Sequence, residues 1–427
     1  MTTTTAHDIG GGTTPPSHAH AGQDAGRLAG VEHVDVLIVG AGLSGIGAAW
    51  HLQTLCPERS YAILEGRDAM GGTWDLFRYP GIRSDSDMYT LGYRFRPWRD
   101  PKAIADGPSI KAYIEETARE GGIDRKIRFR HRVVRAEWSS ADARWTVDAE
   151  VGPERRPARF TCGFLYCCTG YYAYAKGYTP EWPGMDRYRG RIVHPQHWPA
   201  DLDYRGKRVV VIGSGATAVT LVPAMATGAS AAAHVTMLQR SPTYVAELPA
   251  RDAIANGLKR VLPARAAYAA ARWKNVLRQM AFYALARKQP AFFKRALRRK
   301  AVAALGRDYP VDVHFAPRYD PWDERLCVIP DGDLFAVLRD GRASVVTDHI
   351  ETFTETGLRL RSGAELEADV IVTATGLDLR LFDGVTLVVD GAPVELGRLM
   401  AYKGMMFTDV PNAAAAFGYT NASWTLK

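Results

Sequence analysis

Short apolar segments rich in β-branched residues alternate with helix-like segments along most of the chain. Residues 34–39 read VDVLIV, which predicts a strand buried on both faces. A glycine-rich turn follows, then a helical pattern through Leu52 and a short strand, YAILE, that ends at Glu65. The same order starts again at Lys207. Strand, turn, helix and strand in this order predict two βαβ units, each in a parallel sheet.

The first turn carries Gly40, Gly42 and Gly45 in the pattern GxGxxG. Gly40 permits the tight turn, Gly42 lets the backbone approach a pyrophosphate, and Gly45 lets the helix pack closely on the strand. The helix N-terminus offers N–H groups and a positive dipole end to that anion. Glu65 stands twenty residues beyond Gly45 and can accept hydrogen bonds from ribose hydroxyls. The first unit therefore predicts a site for FAD or NAD.

The second turn carries Gly213, Gly215 and Ala218 in the pattern GxGxxA. The strand HVTMLQRS that follows ends with Arg240 and Ser241, where the first unit has its acid. A guanidinium and a hydroxyl suit a ribose 2′-phosphate, which a carboxylate would repel. The second unit therefore predicts an NADP site, and the alternative for Arg240 is an exposed arginine at a strand end.

Two later strand-like segments end in Thr-Gly turns that can bring the chain past a bound dinucleotide. One ends at Gly170, and the other ends at Thr375 and Gly376. The second lies beyond the second unit, so we expect the chain to return and complete the first domain. The fold class is then α/β, with two Rossmann-like dinucleotide-binding domains, the second inserted into the first. The expected divisions are a disordered tail (1–32), the FAD domain's first part (33–172), a linker (173–200), an NADP domain (201–351) with a helical insertion (about 252–305), and the FAD domain's second part (352–427).

Composition narrows the class of protein. Charged residues are 23% of the 427 and the net charge is +8, which is a globular composition with a mild basic excess. The five cysteines form no CxxC pair, which argues against a disulfide scaffold or a metal site and favours a cytoplasmic protein. No apolar run reaches the length of a membrane span, and no motif indicates nucleic acid.

One segment has an unusual charge. Residues 258–300 hold thirteen Lys or Arg and no Asp or Glu, with aromatic residues between them. They predict basic amphipathic helices that break near Pro263 and Pro290. Such helices could contact an anionic membrane surface peripherally, or form a solvated basic face over a substrate channel. We favour the solvated face at this point.

Between the two units, Tyr188, Gly190, His194 and Trp198 fit the pattern F-x-G-x-x-x-H-x-x-x-W, with Tyr in place of Phe. This segment, GGTW at 71–74 and RYPGIRSDSD at 78–87 together resemble the Baeyer–Villiger group of class B flavoprotein monooxygenases. The amino-acid sequences of these motifs are most similar to those of the ethionamide-activating subgroup. The resemblance covers the chain from Val34 to its end.

The resemblance implies an enzyme in which NADPH reduces FAD and a C4a-peroxyflavin formed with O₂ oxygenates a lipophilic ketone or a sulfur compound. It implies that Arg325, within YDPWDERLC, stabilises negative charge beside the flavin, and that Asp85 orients this arginine. A surface arginine and a turn aspartate are the alternatives. It also implies that His194 couples NADPH binding to domain movement, although a purely structural histidine is nearly as well supported. The remaining residues that it places at the cofactors are Gly72, Thr73, Trp74, Thr375 and Gly376.

Other functions stay open at this stage. An N-hydroxylating or dimethylaniline-type flavin monooxygenase shares both glycine patterns. A flavin disulfide reductase is rejected, because it would need a cysteine pair near the first unit, where Cys56 stands alone. A truncated, non-catalytic nucleotide-binding relative is the second alternative, because family members continue beyond GYTNASWTLK. Ser423 and residues 424–427 then look like the cap and first turn of a helix.

Overall fold

The computed structural model describes residues 31–418, which form two mainly parallel sheets and several smaller ones. Residues 1–30 of the expected tail, and Ser423 to Lys427 of the expected helix, lie outside the described residues. The strands are β1 (Glu32–Val39), β2 (Tyr61–Leu64), β3 (Ile127–Arg128), β4 (His131–Ser139), β5 (Arg144–Val151), β6 (Arg156–Cys167), β7 (Arg191–Val193), β8 (Arg208–Ile212), β9 (His234–Gln239), β10 (Tyr244–Leu248), β11 (Leu326–Pro330), β12 (Ala343–Thr347), β13 (Ile350–Phe353), β14 (Gly357–Leu360), β15 (Glu365–Glu367), β16 (Val370–Thr373), β17 (Thr386–Val389), β18 (Ala392–Pro393), β19 (Ala401–Tyr402), β20 (Met406–Phe407) and β21 (Ala413–Ala415). The α-helices are α1 (Leu43–Leu55), α2 (Thr73–Leu76), α3 (Met88–Leu91), α4 (Gly107–Glu120), α5 (Ala216–Met225), α6 (Ala253–Val261), α7 (Ala264–Lys288), α8 (Pro290–Leu305), α9 (Val311–His314) and α10 (Asp333–Arg339).

The first sheet has the order β18-β17-β4-β5-β6-β1-β2-β3, with β21 also paired to β6. Strand β1 lies between β2 and β6 and is parallel to both. Its residues Leu37 and Ile38 are fully buried, one on each face. This explains why the strand is continuously apolar rather than alternating.

The second sheet has the order β12-β9-β8-β16-β7, and all its strands are parallel. Strand β8 again lies centrally, between β9 and β16. Its turn into α5 stands at the carboxyl end of the sheet, where α/β folds bind ligands. The two βαβ units predicted from the sequence therefore belong to separate sheets.

Strand β16 departs from the expected division at 351/352. The prediction gave 352–427 to the first domain, but β16 pairs with β8 and β7 in the second sheet. The antiparallel strands β13–β15 pack on the same sheet through Phe353 and Leu358. Strands β17, β18 and β21 return to the first sheet. A buried run such as VIVT fits either parallel sheet, so its pattern alone could not choose between them.

Three helices, α6 to α8, follow β10 and occupy the expected insertion. The breaks fall at the two prolines: α7 begins after Pro263 and α8 begins at Pro290. Helix α7 packs on α3 of the first domain, where Asn275 and Gln279 donate hydrogen bonds to Asp87. Within residues 31–418, no helix combines the length and the apolar character that crossing a bilayer requires.

Candidate active site

The first glycine turn shows which glycines the protein itself requires. Gly40 has φ +104°, and a Cβ there would lie 2.4 Å from the carbonyl oxygen of Cys168. A Cβ on Gly45 would lie 1.9 Å from the carbonyl oxygen of Gly40. A Cβ on Gly42 would meet only Gly72, at 3.6 Å from its Cα. The fold therefore tolerates a side chain at Gly42, and the space beside it suits a pyrophosphate at the N-terminus of α1.

Glu65 ends β2 beside this turn and is buried. Its Oε2 accepts a hydrogen bond from the N–H of Ala41 at 2.7 Å, and its Oε1 accepts one from Arg67 at 3.0 Å. Burial raises the pKa of the Glu65 carboxyl, while these two N–H groups act in the opposite direction. Each oxygen can accept another hydrogen bond, so the residue fits its predicted role towards ribose hydroxyls.

The GGTW motif forms the N-terminus of α2, and Asp75 fixes this helix. Asp75 is buried, pairs with Arg67, and accepts from Lys111 at 2.7 Å and Arg78 at 3.3 Å. Three cations around one buried carboxylate balance its desolvation. The result is a rigid wall, because the residues directly before Asp75 line the adjoining cavity.

A cavity of about 760 Å³ lies between the two domains. Its walls come from both glycine-turn units: the first turn and β2 on one side, and α5 of the second unit on the other. The predicted residues on its walls are Gly40, Gly42, Glu65, Gly72, Thr73, Trp74 and Asp85. Gly45 instead packs inside the first unit. The cavity is therefore the place where a cofactor held by the first unit would meet the second.

The segment RYPGIRSD joins the two domains. Tyr79 is buried in the core of the second domain, and Gly81, at φ +77°, approaches α5 so closely that a Cβ would lie 2.6 Å from the Cβ of Ala224. Arg83 forms a salt bridge with Asp333 of the second domain at 2.5 Å. These contacts hold the following residue pair, Ser84 and Asp85, at the domain junction.

The second glycine turn repeats the construction of the first. Gly213 has φ +132°, and a Cβ there would lie 2.3 Å from the carbonyl oxygen of Ala374. Ala218 is fully buried at the third position. A Cβ on Gly215 would meet only the side chain of Arg325, with Nη1 at 3.7 Å. Gly215 thus matches Gly42: the fold tolerates a side chain there, and the space suits a pyrophosphate.

Arg240 and Ser241 follow β9 and are exposed. Within residues 31–418, the Arg240 guanidinium has no salt bridge or hydrogen bond, so it is available to a ligand phosphate. The carbonyl oxygen of Ser241 faces the Ser214 hydroxyl of the second turn at 3.4 Å. This contact ties the strand end to the glycine turn.

Arg325 lies at the second turn, directly before β11, and not on the wall of the large cavity. Asp85 lies on that wall and also borders a smaller cavity. Both act on the thiol of Cys327: burial and the negative charge of Asp85 together raise its pKa to about 12, and Arg325 acts in the opposite direction. The structure therefore brings Asp85 and Arg325 to the same neighbourhood and keeps the Cys327 thiol protonated.

The Tyr–Gly pair of the linker is a packed structural unit. The Tyr188 hydroxyl donates a hydrogen bond to the carbonyl oxygen of Ala368 at 2.9 Å, which a phenylalanine would lack. A Cβ on Gly190 would lie 2.3 Å from the Tyr188 hydroxyl oxygen. Trp198 lies edge-on to Tyr204 and packs on the core of the second domain. These three residues fix the linker and do not reach the cavity.

His194 connects the linker to the turn after β16. Its Nδ1 accepts from the N–H of Gln196 at 3.2 Å, so its Nε2 carries the hydrogen and donates to the carbonyl oxygen of Gly376 at 3.1 Å. Burial lowers the pKa of His194. Thr375 is held too, since its hydroxyl donates to the carbonyl oxygen of Tyr178 at 2.6 Å. The neutral histidine is a hydrogen-bonded joint between linker and turn.

Sequence reasoning missed several cavity residues. Tyr171, Tyr172 and Tyr174 line the cavity directly after the Thr-Gly turn that ends β6, and burial raises the pKa of Tyr174 to about 12. The signal was present, because YYAY follows that turn without interruption. Arg380 and Asp383 also line the cavity, and nothing in their sequence context indicated this.

These features define a class of protein: an α/β protein with two dinucleotide-type turns, in which the first turn and helix α5 of the second unit line one cavity. Residues 38–102 match the family model of an NAD(P)-binding Rossmann-like domain, and residues 101–257 match that of flavin-binding monooxygenase-like proteins. The chain is 58% identical over 396 residues to the FAD-containing monooxygenase EthA of Mycobacterium tuberculosis, covering 93% of this chain and 80% of that protein. It is 55% identical over 397 residues to the putative FAD-containing monooxygenase MymA of the same species, with the same coverage. The chain therefore belongs to the family of FAD-containing monooxygenases.

Solved structures agree on the fold. An open crystal structure of cyclohexanone monooxygenase superposes with a TM-score of 0.73 at 20% identity, covering 93% of this chain and 85% of that one. An oxidised steroid monooxygenase bound to NADP superposes with a TM-score of 0.71 at 23% identity, covering 90% of this chain and 80% of that one. The predicted family, α/β fold class and FAD-dependent monooxygenase class are confirmed.

Proposed function

We propose that this protein uses NADPH and O₂ to oxygenate a lipophilic ketone or sulfur compound, with FAD at the first glycine turn and NADPH at the second. The observation that carries the proposal is the shared cavity, which places α5 of the second unit opposite the first turn. A reductant held by one unit can then reach a flavin held by the other. When bound, the flavin would accept a hydride and activate O₂, and the protein would position the flavin and the reductant relative to each other.

The first unit has the residues that FAD requires. The N–H groups at the start of α1, beside Gly42, face the pyrophosphate position. Glu65 accepts from the ribose hydroxyls, and Gly72 to Trp74 with the three tyrosines form apolar walls for a flat ring. The cavity volume of about 760 Å³ lies in the range of cofactor-sized pockets.

The second unit has the residues that NADPH requires. Gly215 and the N-terminus of α5 face the pyrophosphate position. Arg240 stands beyond β9, and its guanidinium has no partner within the described part of the chain. A cation there favours the 2′-phosphate that distinguishes NADPH from NADH. Arg325 adds a second permanent cation at the same turn.

Arg325 and Asp85 are the residues that we assign to the oxygenation step. A preorganised cation stabilises negative charge that develops on the reacting oxygen atoms, and it needs no proton transfer to do so. Asp85 holds the opposite charge at the junction of both cavities, so its part is to orient this cation. Neither group has to gain or lose a proton.

A second cavity of about 330 Å³ adjoins Asp85 and is the proposed place for the substrate. Most of its surface is apolar, with Ile104, Leu248, Phe282 and Trp322 among its walls. Such walls favour a hydrophobic molecule because burial removes its apolar surface from water. Asp85 marks the end at which that molecule would meet the flavin.

Product analysis tests this proposal. Purified protein with FAD, NADPH and ¹⁸O₂ is given a linear aliphatic ketone and a thioether, and products are identified by mass spectrometry. We expect an ester or a sulfoxide that carries one ¹⁸O atom, with one NADPH consumed for each product. NADPH consumption without any labelled product from either compound would contradict the proposal. An N-oxide from dimethylaniline, with no ester or sulfoxide, would favour the dimethylaniline-type alternative.

A further inference from the structure

Helix α7 has two opposite faces with different surroundings. One face is buried against the first domain and includes Ala267, Ala271, Asn275 and Gln279. On the opposite face, Trp273, Leu277 and Met280 are 61%, 59% and 51% exposed. Their spacing of four and three residues places them in one stripe. Large apolar side chains therefore form a continuous exposed stripe along this helix.

Hydrogen bonds on the buried face prevent α7 from rotating to bury the exposed stripe. Asn275 donates to Asp87 Oδ1 at 2.9 Å and Gln279 donates to Oδ2 at 3.1 Å, and all three side chains are buried. Arg272 donates to the carbonyl oxygen of Tyr89 at 2.7 Å. Breaking these bonds would leave polar groups unpaired in the interior, which is unfavourable. The stripe is held outward by the packing of the helix itself.

Helices α6 and α8, which pack on α7, also carry exposed apolar side chains. Ile254 and Val261 of α6 are exposed, as are Leu262 after α6 and Phe292 of α8. Scattered exposed apolar residues are normal, but this concentration on consecutive helices is the kind of patch that marks an interaction site. We call the exposed side of α6, α7 and α8 the helical surface.

The helical surface is strongly cationic. Of the thirteen Lys and Arg residues in 258–300, four pair with carboxylates: Lys274, Arg287, Lys294 and Arg298. Among the described residues, seven exposed cations have neither a salt bridge nor a side-chain hydrogen bond. These are Arg260, Arg265, Arg278, Lys288, Arg295, Arg299 and Lys300. The unpaired charge lies beside the apolar stripe and has a single sign.

We infer that the helical surface binds the face of an anionic lipid bilayer. Apolar side chains on amphipathic helices enter the boundary between headgroups and acyl chains, and the cations beside them meet lipid phosphates. A second copy of this chain fits less well, because it would bring like charges together across the stripe. An anionic bilayer is the partner that satisfies both the exposed apolar area and the charge.

The proposed substrate cavity shares residues with this surface. Ile254, Arg278 and Phe282 line that cavity, and the first two are exposed side chains of α6 and α7. A lipophilic molecule dissolved in the bilayer would thus reach the cavity without crossing water. This consequence depends on the proposed function, whereas bilayer binding itself does not.

Vesicle sedimentation tests the charge contribution. Wild-type protein is mixed with vesicles of phosphatidylcholine alone or of phosphatidylcholine with phosphatidylglycerol, and bound protein is measured after centrifugation. We expect binding to the anionic vesicles that declines with added salt. Each cation contributes about fivefold in affinity, from about 1 kcal/mol, so Arg299→Gln with Lys300→Gln should weaken binding roughly 25-fold. Arg361→Gln, an exposed unpaired arginine on another face, should leave binding unchanged.

Lipid contact of the stripe is tested separately. Leu277→Ser with Met280→Ser should lower binding to anionic vesicles about tenfold or more, since two apolar side chains no longer enter the bilayer. Leu55→Ser, which changes an apolar residue on α1 that is even more exposed than Leu277 and Met280, is the control. Brominated lipids should quench part of the tryptophan fluorescence of wild-type protein, because Trp273 enters the bilayer. In Trp273→Phe protein this part of the quenching should be missing. Circular dichroism and FAD content establish that each variant is folded.

Three results would overturn the inference. Absence of binding to anionic vesicles is the first, and equal binding to neutral and anionic vesicles is the second. The third is self-association that the stripe variants abolish while vesicle binding persists, which would make the helical surface a contact between copies of the chain. None of these results depends on oxygenase activity, so the proposed function is tested independently.

Discussion

The two glycine-turn units repeat one construction. In each, the first glycine lies against the carboxyl end of the neighbouring parallel strand, so closely that a Cβ would lie 2.4 Å from Cys168 O at Gly40 and 2.3 Å from Ala374 O at Gly213. In each, a Thr-Gly turn follows that strand. The middle glycine of each turn is the one that the protein itself does not require. Such a pair indicates that both turns are shaped around a ligand of the same kind.

The two units differ at the third glycine position and at the end of the second strand. Gly45 has no room for a Cβ, whereas Ala218 carries one in a fully buried position. Glu65 is buried and hydrogen-bonded, whereas Arg240 is exposed and has no side-chain partner among residues 31–418. In the proposed function, the first unit encloses an uncharged ribose and the second unit receives a phosphorylated ribose from solvent. This difference is consistent with a resident flavin and an exchanging coenzyme.

The largest effect should come from Arg325, which the second unit places near Asp85. In Arg325→Ala protein we expect FAD to stay bound and oxygenated product to fall at least about a hundredfold, since an electrostatic stabiliser is lost. Product and hydrogen peroxide are measured together with NADPH consumption. Glu324→Ala, next in the chain and also exposed, is the control. Unchanged product yield in Arg325→Ala protein would remove this residue from the oxygenation step.

Coenzyme preference should depend on the strand-end cation of the second unit. A charge-assisted contact contributes about 1.5–3 kcal/mol, so Arg240→Ala should raise the KM for NADPH about tenfold to a hundredfold. The KM for NADH should stay nearly constant. Steady-state kinetics with both coenzymes give the comparison, and an equal loss for both would show that Arg240 is structural.

Substitutions at the third position of the glycine pattern, Gly45 and Ala218, should change the free energy of unfolding by different amounts in the two units. In Gly45→Ala protein the new Cβ collides with Gly40 O, and we expect a loss of about 2 kcal/mol in the free energy of unfolding. Ala218→Gly, the reverse change in the second unit, should cost about 1 kcal/mol through helix propensity. Denaturant unfolding of both variants measures the difference. Equal losses would mean that the two turns are packed alike.

The smallest effect concerns His194 at the joint between linker and second domain. Its pKa is lowered in the folded protein, so folding favours the neutral form. Its contribution to stability is complete above the ordinary pKa of about 6.5 and declines as the pH falls below it towards the lower folded-state value. We therefore expect His194→Gln protein to lose less stability than wild type between pH 7 and pH 5. An identical decline in both proteins would assign the acid sensitivity to other groups.

Much of the fold and part of the site could be predicted from the sequence. Both glycine turns, Glu65 and Arg240 could be placed because each role depends on a short, local pattern. The sheet that β16 joins could not be predicted, since the pairing of a buried apolar run depends on distant strands. The cavity position of the tyrosines after Gly170 depends likewise on how the two domains pack, and the position of Arg325 beside Gly215 depends on how β11 packs within the second domain. Local patterns fix turns and charges, and tertiary packing decides what they face.

The most direct test of the account exchanges the middle glycines. Gly42→Ala and Gly215→Ala each add a Cβ that the protein accommodates without collision, so both variants should fold with wild-type stability. Binding of FAD and of NADP⁺ is then measured for both proteins by calorimetry. The account predicts that Gly42→Ala loses FAD affinity and that Gly215→Ala keeps FAD but loses NADP⁺ affinity. Loss of FAD from the Gly215→Ala protein, with Gly42→Ala retaining it, would contradict the assignment of the two sites.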